Sequence, residues 1–134
     1  MADLSSLSPQ LDTKKCTCRA IIETPKGCRN KFDYDPDSGL FMLGGLLPEG
    51  MMFPFDFGFI PSTLGGDGDP LDILVLMDAP AHVGCLIEVR IIGIKLGLCR
   101  YGEMSFHAND HYVRRSLDVN SCSKLICAST PCRN

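Results

Sequence analysis

The chain has 134 residues, of which 45% are apolar, and a formal net charge of −3. This is the size of one ordinary domain with enough apolar side chain for a core, and the charge leaves no footprint for nucleic acid. No apolar run is long enough to cross a membrane as a helix, and the eight cysteines sit in a chain too long and too apolar for a small disulfide scaffold.

In chain order, "MADLSSLSPQLDTKK" sets no basic stretch before an apolar one, so residues 1–18 read as a weakly ordered arm without a signal peptide, in a cytoplasmic protein. Cys16 and Cys18 are too close in sequence for an ordinary structural disulfide. "CRAIIET" (18–24) is a short apolar, β-branched run. "KFDYD" (31–35) alternates, with Phe32 and Tyr34 on one face and Lys31, Asp33 and Asp35 on the other. "PDSG" (36–39) turns the chain into "LFML", a hairpin. "MMFPFDFGFI" (51–60) is aromatic, and Pro54 and Gly58 break any helix. "DILVLM" (72–77) and "CLIEVRIIGI" (85–94) are strong strands around the loop "DAPAHVG". Short strands with closely spaced turn signals predict a mainly β fold with little helix, a small barrel or sandwich. Ile21, Phe32, Tyr34, Ile73, Val75, Ile87 and Val89 are the expected core positions.

Just before the strand at 72–77 stands "GDGDPLD" (66–72), which packs three carboxylates into six residues. Adjacent carboxylates repel and resist losing water. Gly65, Gly66 and Gly68 permit tight turning, and Pro70 biases Asp69 towards an extended conformation. A sharp turn can converge Asp67, Asp69 and Asp72 on a hard divalent cation such as Mg²⁺, which prefers oxygen ligands. An acidic surface turn is the alternative. An EF-hand is excluded by spacing: counted from Asp67, its sixth and twelfth positions hold Asp72 and Asp78, and Pro70 lies inside.

The signature "DGDPLDI" resembles the metal-binding motif of soluble, family I inorganic pyrophosphatases. "IIETPKGCRNKFDYD", "FPFDFGFIPSTLGGDGDPLDILVLMD" and "GCLIEVRIIG" also resemble that family in order and spacing, over roughly residues 19–94. The resemblance implies an OB-like five-stranded antiparallel barrel (19–94) and Mg²⁺-dependent hydrolysis of pyrophosphate to two phosphates, in a homo-oligomer. It further implies that Asp67 and Asp72 are metal ligands and that Asp69 helps deprotonate the attacking water. Glu23 would be acidic at the metal site, Lys31 would bind phosphate, and Asp33 would stand where Glu is usual.

Several residues depart from the family pattern. Gly45 stands in place of an arginine that clamps phosphate, and Phe53, Phe57 and Phe59 keep rings where tyrosine hydroxyls are typical. Ungapped from Gly93, the second acidic cluster falls on Cys99, Arg100, Met104 and Phe106. The late tyrosine–lysine pair has no counterpart beyond Tyr112 and Arg114, and the C-terminal helices are missing. Residues 1–94 hold 7 basic against 13 acidic side chains, while 95–134 hold 6 against 3. Residues 95–134 therefore read as an atypical, irregular tail, as a shifted reading frame or a degraded copy would produce. His107 and His111 lie four apart, and Cys122, Cys127 and Cys132 recur every five residues, a wider spacing than the pairs zinc prefers. These departures imply impaired catalysis. The alternative is a non-catalytic metal- or phosphate-binding remnant, or one that only pairs with intact subunits.

Overall fold

The computed structural model describes residues 3–65, 68–96 and 124–130. Among the described residues, seven strands follow one 3-10 turn (Leu4–Ser6): β1 (Thr17–Thr24), β2 (Asn30–Asp35), β3 (Leu40–Leu46), β4 (Asp56–Ile60), β5 (Leu71–Leu76), β6 (Leu86–Leu96) and β7 (Lys124–Ser129). Among the described residues there is no α-helix, and no helix is long and apolar enough to cross a membrane. The predicted mainly β architecture is the one observed.

Five strands close a barrel in the order β1-β4-β5-β7-β6. Counted along the barrel this is first, second, third, fifth, fourth, the OB arrangement. β5 and β7 run parallel and the other barrel pairs antiparallel. Alternate side chains fill the interior, as the two-residue period of a strand requires. Cys18, Ala20 and Ile22 come from β1, Ile73 and Val75 from β5, Val89 and Ile91 from β6, and Ile126 and Ala128 from β7. Full burial of each large aliphatic among them contributes about 1.5–3 kcal/mol.

Three expectations are corrected. Residues 124–129 are not irregular: they form the strand that closes the barrel, with Ile126, Cys127 and Ala128 buried. The hairpin β2–β3 is a separate two-stranded sheet, so Phe32 and Tyr34 do not line the barrel interior. They are half-buried, and the Tyr34 ring stacks on Phe59, 5.6 Å between centroids. Ile21 is buried in the core as expected, on the face of β1 that alternates with the barrel cluster. The remaining core expectations, Ile73, Val75, Val89 and the partly buried Ile87, belong to that cluster.

The third correction is the N-terminal arm, whose residues 3–18 are tied to the rest of the fold by hydrogen bonds. Asp12 and Thr17 form a β-bridge, the Arg19 amide donates to Pro9 O (2.7 Å), and the Arg19 Nε donates to Ser8 O (3.1 Å). Asp56, buried to 1% exposure, accepts hydrogen bonds from the Lys26 amide (2.6 Å) and the Ala81 amide (2.9 Å). It thereby ties the turn after β1 to the loop before β6. Cys16, Cys18, Cys28 and Cys85 are free thiols, and burial pushes the Cys18 thiol up to about 11.

Candidate active site

The candidate site lies where the barrel wall meets the hairpin. In the β1–β4 ladder Ile22 pairs with Gly58 and Thr24 with Phe57, so Glu23 is the extra residue of a β-bulge. A bulge bends its strand and re-aims the side chain it carries. Gly58 is what lets the strands meet there, because a Cβ would fall onto the carbonyl of Ile21. The two residues at the end of β1 then dock the hairpin through their side chains. The Tyr34 amide donates to Glu23 Oε2 (2.7 Å). The Phe32 amide donates to Thr24 Oγ1 (3.0 Å), whose hydroxyl donates back to Phe32 O (3.2 Å).

Docked this way, β2 brings Lys31 and Asp33 beside Glu23. Lys31 Nζ and Asp33 Oδ1 form an ion pair at 3.1 Å, both partly exposed, so their mutual attraction is screened. On β3, Gly44 leaves the space that the Asp33 carboxylate occupies, and Gly45 stands opposite Lys31 with nothing near its Cβ direction.

From the other side, the turn after β4 leads into the acidic loop. The Thr63 hydroxyl oxygen accepts the Leu71 amide (2.9 Å), the Gly65 amide donates to Asp69 O (2.6 Å), and Gly68 takes a left-handed φ of 86°. Asp69 is exposed in this turn. Asp72 is exposed at the start of β5, opposite Phe59. Asp67 lies outside the described residues, as do Cys99, Arg100, Met104, Phe106, His107, His111, Tyr112, Arg114, Cys122 and Cys132. Phe53 and Phe59 are buried and Phe57 half-buried, so all three serve as packing rings.

Glu23 registers the charges around it. It is 8% exposed, and burial pushes its carboxyl up to about 7; the Tyr34 N–H lowers it, Asp33 and Asp72 raise it, and Lys31 lowers it. Four of the six residues singled out in the sequence, Glu23, Lys31, Asp33 and Asp72, are thus in electrostatic contact. Asp69 is not among the groups that set the acidity of Glu23. A hard divalent cation suits this wall chemically, since every anionic donor is a carboxylate oxygen and a buried carboxyl repelled by two others gains from a positive neighbour. The described residues supply only part of a shell, and no three of their acidic, histidine or cysteine side chains form a metal centre alone. Sequence reading missed Thr24, whose local signal is only that of a β-branched strand residue, and gave Tyr34 no role beyond packing.

A closed OB-type barrel, flanked by a hairpin and carrying clustered carboxylates and a lysine at their junction, defines the class of protein. The particular family follows from comparison. The family model described as inorganic pyrophosphatase matches residues 20–98. The chain belongs to the inorganic pyrophosphatase family. It is 48% identical over 96 residues to the inorganic pyrophosphatase of Thermus thermophilus, covering 72% of this chain and 54% of the relative. It is 49% identical over 73 residues to that of Streptomyces coelicolor, covering 54% and 45%. The crystal structure of the Thermus thermophilus enzyme superimposes with a TM-score of 0.69 at 31% identity, over 98% of this chain and 64% of that one. The chain spans about half the length of the curated relatives it matches.

Proposed function

We propose that this chain is a Mg²⁺-dependent pyrophosphate hydrolase with a depleted site, binding the cation weakly and turning over slowly. The observation that carries the reading is the electrostatic grouping of Glu23, Asp33, Asp72 and Lys31 at the barrel–hairpin junction in a chain of this family. Glu23 and Asp72, with Asp67, would hold the cation. Bound Mg²⁺ supplies charge neutralisation for the phosphate oxygens and acidifies water. Lys31 offers a positive group to a phosphate, and its ion pair with Asp33 keeps that ammonium at the junction while leaving it accessible. Asp69, exposed in its turn, takes the proton of the attacking water. Asp33 orients Lys31, a role that its short side chain performs by leaning over Gly44.

What limits the rate is missing positive charge. Gly45 leaves open space where a guanidinium would grip phosphate in a fork, and the three phenylalanines donate no hydrogen bonds. Losing one stabiliser of transition-state charge costs about 10²–10³ in rate, and several losses together are not additive. Phosphate release from pyrophosphate with Mg²⁺ tests the reading, against a chain carrying a family-type continuation after Gly93. Slow release, abolished by Asp69→Asn, is the expected result. Equal rates would show that residues after Gly93 already supply the missing ligands. No release with Mg²⁺ binding retained would make this a non-catalytic binding module.

A further inference from the structure

The N-terminal arm joins the two halves of the candidate site. The Tyr34 hydroxyl accepts the Leu4 amide (2.9 Å) and donates to Asp3 Oδ1 (2.9 Å). Asp3 in turn caps the 3-10 turn, accepting the Ser5 amide (3.0 Å) and the Ser5 hydroxyl (2.6 Å). From that turn the arm reaches the second residue after β4: the Ser62 amide donates to Ser5 O and the Ser62 hydroxyl to Leu7 O, each at 2.7 Å. Ser62 has φ 53°, the left-handed region that a side chain disfavours. A residue so placed persists when its surroundings over-determine it, and here the arm supplies both hydrogen bonds. Ser62 immediately precedes Thr63, whose hydroxyl oxygen holds the Leu71 amide and closes the acidic loop. At the other end of the chain of contacts, the Tyr34 amide holds Glu23 Oε2, and Tyr34 adjoins Asp33.

We infer that Tyr34 is a positioning residue. Through Asp3 and the 3-10 turn it couples the hairpin, which carries Lys31 and Asp33, to the turn that sets Asp69 and Asp72. The arm is a strap that fixes the distance between the two carboxylate groups for a divalent cation, an inference that rests on the reading above. Outer partners of this kind commonly change metal affinity by about 10–100-fold when removed.

Tyr34→Phe keeps the ring on Phe59 and the amide on Glu23 and removes only the hydroxyl. The experiment compares it with Asp3→Ala and the double variant, by amide hydrogen exchange without metal and by Mg²⁺ titration of folded protein. Each single variant is expected to speed exchange at Ser62 and to weaken Mg²⁺ binding about tenfold, with the double variant weaker by less than the product of the two, since they share the Tyr34–Asp3 hydrogen bond. Unchanged exchange at Ser62 overturns the inference. So does a lower melting temperature with an unchanged Mg²⁺ dissociation constant, the result a merely structural tyrosine would give. Should the parent chain bind no Mg²⁺, the functional reading falls and exchange alone judges the strap: faster exchange at Ser62 upholds the coupling and unchanged exchange removes it.

Discussion

Glu23 is held in surroundings that oppose its charge. Its folded value of about 7 lies above the usual 4.5, so the neutral carboxyl is the form the metal-free fold prefers. Below about pH 4.5 both folded and unfolded chains are protonated there, and its contribution to stability is fully present. As pH rises through 4.5 to 7 the unfolded chain ionises first, and that contribution is lost. Glu23→Gln removes the titration while an amide oxygen can still accept from Tyr34. We expect the variant to match the parent at pH 4 and to exceed it at pH 8 in metal-free urea unfolding, by roughly 2–3 kcal/mol. An equal gap at both pH values would show that ionisation of Glu23 does not set the difference. At the facing position, Gly45 has open space around its Cβ direction. Gly45→Arg is therefore expected to fold and to bind pyrophosphate about tenfold more tightly, through a bidentate guanidinium beside Lys31. Equilibrium binding without turnover, in Ca²⁺, checks this, and unchanged affinity would place phosphate elsewhere.

At the scale of elements, the end of β1 is where sequence and structure part company. The apolar alternation of 18–24, 72–77 and 85–94 is legible because burial on one face imposes a period of two. The acidic residues are legible because a Gly- and Pro-punctuated run of carboxylates has few inexpensive explanations. The bulge at Glu23 is not legible, since it depends on a close approach of β4 that no residue in β1 encodes. Its only trace is Gly58, which reads locally as a helix breaker. The hairpin's separation from the barrel is hidden for a similar reason: Thr24 and Glu23 replace a backbone ladder with side-chain hydrogen bonds, and alternation cannot distinguish the two. Gly58→Ala tests the element directly. Its Cβ would meet the Ile21 backbone, and both strands are locked into the closed barrel, so neither can withdraw cheaply. A loss of about 3 kcal/mol or more is expected in urea unfolding followed by circular dichroism. A loss below about 1 kcal/mol would show that the strands relax apart.

For the whole molecule, closure depends on a strand from the stretch that composition marks as foreign. β7 lies between β5 and β6, pairing in parallel with one and antiparallel with the other. Without it both neighbours become open edges, the feature a barrel exists to remove. The charge reversal after Lys95 says nothing about this, because a closing strand needs only alternate small and apolar residues facing inward. Ile126 and Ala128 meet that need within "KLICAS". Nor does local sequence reveal the parallel pairing, which is decided by topology. If β7 is integral, Ile126→Ala leaves a cavity at the centre of the barrel and costs about 2–5 kcal/mol, whereas Leu40→Ala on the exposed hairpin (60% exposed) changes stability by less than about 0.5 kcal/mol. Removing residues 124–134 should go further, abolishing the cooperative transition and exposing the β5 and β6 edges to pairing between chains, read as concentration-dependent aggregation that the full chain does not show. A cooperative transition that survives the deletion with its denaturant slope intact would mean that the four remaining strands close without β7. In that case the interior positions of β5 and β6 would have to be covered by some other part of the chain.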